Sequence, residues 1–123
     1  MLGIVSYELD YRLSWEINKE LMMDFVRIDD HCVRHKRSGQ DQYFTCFVYD
    51  DENTYLHYKL LSNRSDKGYL LEELKNIDYI VVVTGEYHST LSTELRKKLL
   101  ALESVQSCFI LETGNIKNFQ KVL

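Results

Sequence analysis

From Asp24 to Leu61 the side chains alternate with a period of two, and this stretch constrains the fold more than any other. It divides into three predicted strands, Phe25 to Lys36, Gln42 to Asp50 and Thr54 to Leu61, each rich in aromatic and β-branched residues. Ser38-Gly39 and Asp51-Glu52 mark the turns between them. Connections this short leave no room for a crossover, so neighbouring strands must be antiparallel, and the segment is a β-meander.

A sheet with an apolar face needs cover, which the flanking segments must supply. Leu2 to Val5 reads as a short strand, with Ser6 after it as a helix N-cap and Glu8 in the first turn. The helix is expected over Tyr7 to Met22, with Leu9, Leu13, Ile17 and Leu21 in one stripe. After the meander come a polar loop (Asn63 to Gly68), a short helix (Leu70 to Asn76) and a buried strand (Tyr79 to Thr84). A second helix follows over Ser89 to Leu102, capped by Ser89 or Thr90, with Leu91, Leu95, Leu99 and Leu102 on one face. Val105 to Glu112 reads as the last strand; if it lies parallel to Tyr79–Thr84, the connection is a right-handed crossover. Residues 115–123 carry no clear pattern. The expectation is one α+β domain over residues 1–123: a mixed sheet of five or six strands containing an antiparallel meander, packed by two or three helices.

Composition narrows the function. Net charge is −4, and the only short basic cluster is Arg34-His35-Lys36-Arg37, which reads as a solvated strand end. A phosphate-tracking surface needs clustered Lys and Arg, so nucleic acid is not an expected partner. The start of the chain lacks a basic segment followed by a long apolar one, and the longest aliphatic run, Ile80-Val81-Val82-Val83, is far too short to span a bilayer. No membrane association is expected. Three cysteines, Cys32, Cys46 and Cys108, are an odd number without paired spacing, which favours reduced thiols and a cytoplasmic setting.

Strand register suggests one constellation. With turns at Ser38-Gly39 and Asp51-Glu52, His31 faces Cys46 and Cys46 faces His57, on a face shared with Arg27, His35 and Lys59. The other face holds Val26, Ile28, Cys32, Phe47, Tyr49, Leu56, Tyr58 and Leu60. Two His and one Cys suit zinc if a fourth ligand or water joins them. A straight row across three strands spans ~10 Å, however, too wide for one tetrahedral ion, so no metal or other cofactor is expected. His88-Ser89 after Thr84-Gly85-Glu86 resembles a base and nucleophile only in composition, since adjacent residues rarely present both groups in the needed geometry. Thr84-Gly85 falls short of a phosphate loop, and the acids at Asp29-Asp30 and Asp50-Asp51-Glu52 read as solvating charges. No catalytic residues are assigned.

The first helix offers a surface instead. Opposite Leu9 and Leu13, Tyr11, Trp15 and Met22 form a second stripe beside Asn18, and only the arc of Arg12, Glu16, Lys19 and Glu20 is polar. The simplest expectation is that a second helix covers this stripe. The functional reading is a surface for a protein partner or a homodimer at Tyr11, Trp15 and Met22, because Trp, Tyr and Met favour interfaces.

Leu71-Glu-Glu-Leu-Lys-Asn-Ile-Asp-Tyr79 resembles the signature that names the IPExxxVDY family of small bacterial proteins. Gly3-Ile-Val-Ser with Asp10-Tyr-Arg-Leu-Ser-Trp-Glu-Ile-Asn18, and Leu60-Leu-Ser-Asn63, resemble the same family, so the likeness extends over most of the chain. Leu71 stands for Ile, Ile77 for Val and Glu72 for Pro; an acidic residue suits a first helical turn much as proline does. The resemblance implies a fold and a bacterial, cytoplasmic setting, and it carries no activity and no catalytic residues. The functional expectation is a non-catalytic protein-interaction module, the alternative being a small metal- or ligand-binding domain or enzyme using the His31/Cys46/His57 face.

Overall fold

The computed structural model describes every residue except 35–38, 86–89, 113, 115, 117 and 118. The elements run β1 (Leu2–Val5), α1 (Asp10–Leu21), β2 (Val26–Arg34), β3 (Asp41–Asp51), β4 (Leu56–Ser62), a small ribbon of β5 (Arg64–Ser65) and β6 (Gly68–Tyr69), β7 (Tyr79–Thr84), α2 (Leu91–Leu100) and β8 (Ser107–Ile110). Short 3₁₀ turns lie at Glu72–Leu74 and Phe119–Val122. The expected helix over Leu70 to Asn76 is thus reduced to a single turn, and the expected loop before it contains the β5–β6 ribbon.

The fold is α+β. The main sheet has six strands in the order β2-β3-β4-β7-β1-β8, with the expected meander at one end. Every neighbouring pair is antiparallel, which corrects the expectation of a mixed sheet. β7 and β8 do run in the same direction, since both are antiparallel to β1, but β1 lies between them. The segment Tyr79 to Ile110 therefore crosses over one intervening strand.

Two covers produce two cores. On one face Leu2, Ile4, Phe47, Tyr58, Leu60 and Val81 meet Leu13 and Ile17 of α1 and Leu95 and Leu99 of α2. On the other, Phe44, Cys46, Leu61, Ile80 and Val82 lie beneath Leu70, Leu71, Ile77, Ile116 and Val122. Cover on both sides explains why β7 is apolar at successive positions, Tyr79 to Val82, all buried.

Both hairpin registers differ from expectation, for local reasons. The β3–β4 connection is the four-residue loop 52–55: the Asp51 carboxylate accepts the Asn53 N–H at 3.0 Å, and Tyr55 takes a left-handed conformation (φ 59°) while its N–H reaches the Asp51 carbonyl. Cys46 consequently faces Leu61, and His57 faces Asp50. The slip is an even number of residues, so each side chain stays on its expected face. In β2 the register shifts between Ile28 and His31, where Asp29 and Asp30 together oppose Thr45 as a β-bulge. One extra residue inverts parity. Val26 and Ile28 therefore share a face with Cys46 and Val48, and Arg27 points to the helix-covered face, its guanidinium 5.7 Å from the Phe47 ring.

Candidate functional site

Helix α1 begins at Asp10, three residues later than expected, and its cap residue Leu9 makes no side-chain cap bond and is 60% exposed. Ser6 is not the cap. Its hydroxyl accepts the Glu8 N–H at 3.1 Å and donates to the Ser104 carbonyl at 2.6 Å, tying the end of β1 to the corner after α2. Leu13 and Ile17 are buried and anchor the helix on the sheet. Helical spacing then turns Tyr11, Trp15 and Met22 outward, and these residues are 58%, 57% and 88% exposed. The expected cover of this stripe by a second helix is absent, because α2 packs on the same sheet face beside α1: Ile17, Phe25, Leu95 and Leu99 meet in one cluster.

The exit from α1 fixes this presentation. Met22 closes the helix in a left-handed conformation (φ 55°), and the Asn18 amide clasps Phe25, donating to its carbonyl at 3.1 Å and accepting its N–H at 2.7 Å. Lys19 holds its ammonium 5.1 Å from the centre of the Trp15 ring. A groove of about 400 Å³ runs along the stripe, lined by Tyr7, Arg12, Trp15 and Lys19 on one side and Ser104 and Gln106 on the other. A second, of about 540 Å³, continues past Glu20 to Met22, Lys98 and Ala101. Glu16 stands between them: its carboxylate accepts the Glu103 N–H at 2.9 Å and the Ser104 hydroxyl, pinning the α2–β8 corner against α1. The groove is a depression with apolar and charged walls.

The His31/Cys46/His57 row is not assembled. His31 faces Phe44, and its Nε2 is hydrogen-bonded to the Lys121 carbonyl. Cys46 is buried, and desolvation raises its thiol pKa, with the nearby Lys59 ammonium opposing. His57 lies level with Asp50, four residues along β3 from Cys46 or ~13 Å, and its Nδ1 is 2.5 Å from the Asp50 carboxylate. That pair is solvated and contributes little to stability. Among the described residues no group of three or more His, Cys, Asp or Glu is placed to hold a metal ion. His35, Lys36 and Arg37 of the basic cluster, and Glu86, His88 and Ser89, lie outside the described residues. Gly85 has a structural role: its φ is 117°, and a Cβ there would come within 2.7 Å of the Tyr55 carbonyl oxygen.

The segment Leu71–Tyr79 meets Ser6, Glu8, Asn63 and Arg64 at one joint. Leu71 and Ile77 are buried. The Asp78 carboxylate accepts the Ser6 N–H at 2.9 Å and pairs with Arg64 at 2.6 Å. The Tyr79 hydroxyl donates to the Glu8 carbonyl at 2.5 Å, and burial, with Asp10, Asp78 and Glu8 nearby, pushes its pKa up to about 12. Asn63, fully buried, donates through Nδ2 to the Leu74 and Ile77 carbonyls and accepts the Leu71 N–H. The role of Asn63 goes beyond the sequence reading; its signal was a polar residue ending the apolar run Leu60-Leu-Ser-Asn63.

The fold and surface thus define a small α+β domain with an aromatic stripe beside a groove. Comparison with protein-family models, with curated proteins and with solved structures finds no match. Among the described residues no helix is long and apolar enough to cross a membrane.

Proposed function

We propose that this domain is a non-catalytic protein-interaction module of a bacterial cytoplasm, and that its contact surface is the outer stripe of α1, Tyr11, Trp15 and Met22. The observation that carries this reading is the exposure of all three side chains, at 58%, 57% and 88%, along α1 and its C-cap. Large apolar side chains presented together favour association, since each aromatic removes ~150–250 Å² from water when fully buried. Trp and Tyr also dominate the energetics of measured interfaces. The flanking groove, with Arg12 and Lys19 against Glu20 and Glu103, supplies a polar rim. The partner is a second copy of the chain or another protein.

The test is Trp15→Ala. Because Trp15 is exposed, the variant should melt within about 4 °C of the parent, the shift equivalent to ~1 kcal/mol at this size. Sedimentation velocity of both proteins, with affinity capture from the native cell followed by mass spectrometry, should show a dimer or a specific co-purifying protein with the parent and its loss with the variant. Trp15 is the only tryptophan, so its fluorescence reports the contact directly and should shift to the blue on association. Unfolding of Trp15→Ala, or equal association by both proteins, would sink the proposal.

A further inference from the structure

The face of the sheet opposite the helices is closed in part by the Phe119–Val122 turn, which forms no strand pairing with the sheet. Its own backbone bond runs from the Leu123 N–H to the Gln120 carbonyl. It is fastened from outside instead. The Lys59 ammonium donates to the Val122 carbonyl at 3.0 Å and the Leu123 backbone oxygen at 3.2 Å, and His31 bonds the Lys121 carbonyl. These are the three successive carbonyls that a short helical turn leaves without internal partners. His31 is on β2 and Lys59 on β4, so a turn held by both must straddle β3, which lies between them. The β3 residues on that face are Phe44, Cys46 and Val48, and Cys46 shares its buried cluster with Val122.

We infer that the Phe119–Val122 turn is a latch that opens independently of the sheet, with Lys59 and His31 as its catches and the Cys46 thiol as the group it uncovers. A turn without strand pairing, its carbonyls tied by side chains and its Val122 buried, opens more readily than paired strands do. When it swings away, the sheet, both helices and the other core stay intact. What appears is a trough with Cys46 and Val48 on its floor and His31 and Lys59 at its walls. The device is separate from the α1 surface, which lies on the opposite side of the sheet.

The protein carries its own controls. Cys32 is exposed, Cys46 lies beneath the latch, and Cys108 is buried on the helix-covered face. Iodoacetamide labelling of the folded protein at pH 8, read site by site by peptide mass spectrometry, should modify Cys32 first, Cys46 next and Cys108 last. Low concentrations of urea should accelerate Cys46 only weakly and Cys108 steeply, because local opening exposes little surface. Lys59→Met should raise the Cys46 rate about tenfold and leave Cys108 unchanged. This increase runs against electrostatics: losing the Lys59 charge raises the Cys46 pKa and by itself slows labelling. Should Lys59→Met prove globally unstable, the urea dependence of the parent decides alone. Labelling of Cys46 and Cys108 in step across urea concentrations, or a Cys46 rate unmoved by Lys59→Met in a folded variant, would overturn the latch.

Discussion

Asn63 is the residue on which the second core depends most. It has no exposed surface, and its side chain satisfies two carbonyls and one N–H of the segment 71–77, while its own backbone bonds Asp78 and Leu70. Removing the amide leaves the Leu71 N–H and the Ile77 carbonyl without partners, while the Leu74 carbonyl keeps the Ile77 N–H; each unmade bond costs ~1–3 kcal/mol. Asn63→Ala should therefore destabilise the domain by about 3 kcal/mol or more in urea denaturation, and a loss below ~1 kcal/mol would show that the amide is dispensable. The position was visible in the sequence as the polar residue that follows Leu60-Leu-Ser. Its role was not, because its partners follow 8–14 residues later and meet it only after the chain folds back.

At the scale of elements, β2 shows both what alternation reveals and where it misleads. The meander was legible from its period-two pattern, and β2, β3 and β4 appear where the pattern puts them. The bulge at Asp29-Asp30 was not, since two adjacent acids also suit any exposed strand. Its consequence is that even-numbered Val26 and Ile28 share a face with odd-numbered His31 and Val33. The bulge also interrupts an edge strand whose residues are mostly exposed, which discourages pairing with other chains. Deleting Asp30 forces one half of β2 to invert, so either Val26 and Ile28 or His31 and Val33 lose their present face. The variant should show a lower urea midpoint and, by light scattering, association at concentrations where the parent shows none beyond its own state. A midpoint equal to the parent's would mean that the bulge is no more than a local irregularity.

For the molecule as a whole, the helix-covered core sets a limit at high pH. Burial pushes the Cys108 thiol from its ordinary 9.0 up to about 11, and the Tyr79 hydroxyl from 10.0 up to about 12. Both groups are neutral when protonated, and folding holds the proton more tightly. The stabilisation is complete below the unfolded-state values and disappears as pH rises through the folded-state ones. Stability should thus fall from about pH 9, first through Cys108 and then through Tyr79. Cys108→Ala should flatten the decline between pH 9 and 11 in equilibrium denaturation, and an equally steep decline in parent and variant would contradict the assignment.

The amino-acid sequence by itself determined the local matters: the α+β class, the meander, two amphipathic helices, a strand apolar at successive positions, and which side of each helix is greasy. These follow from near-neighbour spacing and from turn chemistry, both written within a few residues. Only the tertiary structure decided that β1 inserts between β7 and β8 and makes the sheet wholly antiparallel. It also decided that the Phe119–Val122 turn lies over Cys46 and that His57 stands apart from it. The same holds for the stripe on α1. Its composition was plain in the sequence, but whether Trp15 lies in a core or in solvent depends on where α2 packs, and α2 lies beside α1 on the sheet. Such outcomes depend on long-range pairing and on single-residue changes of parity, which no local pattern records.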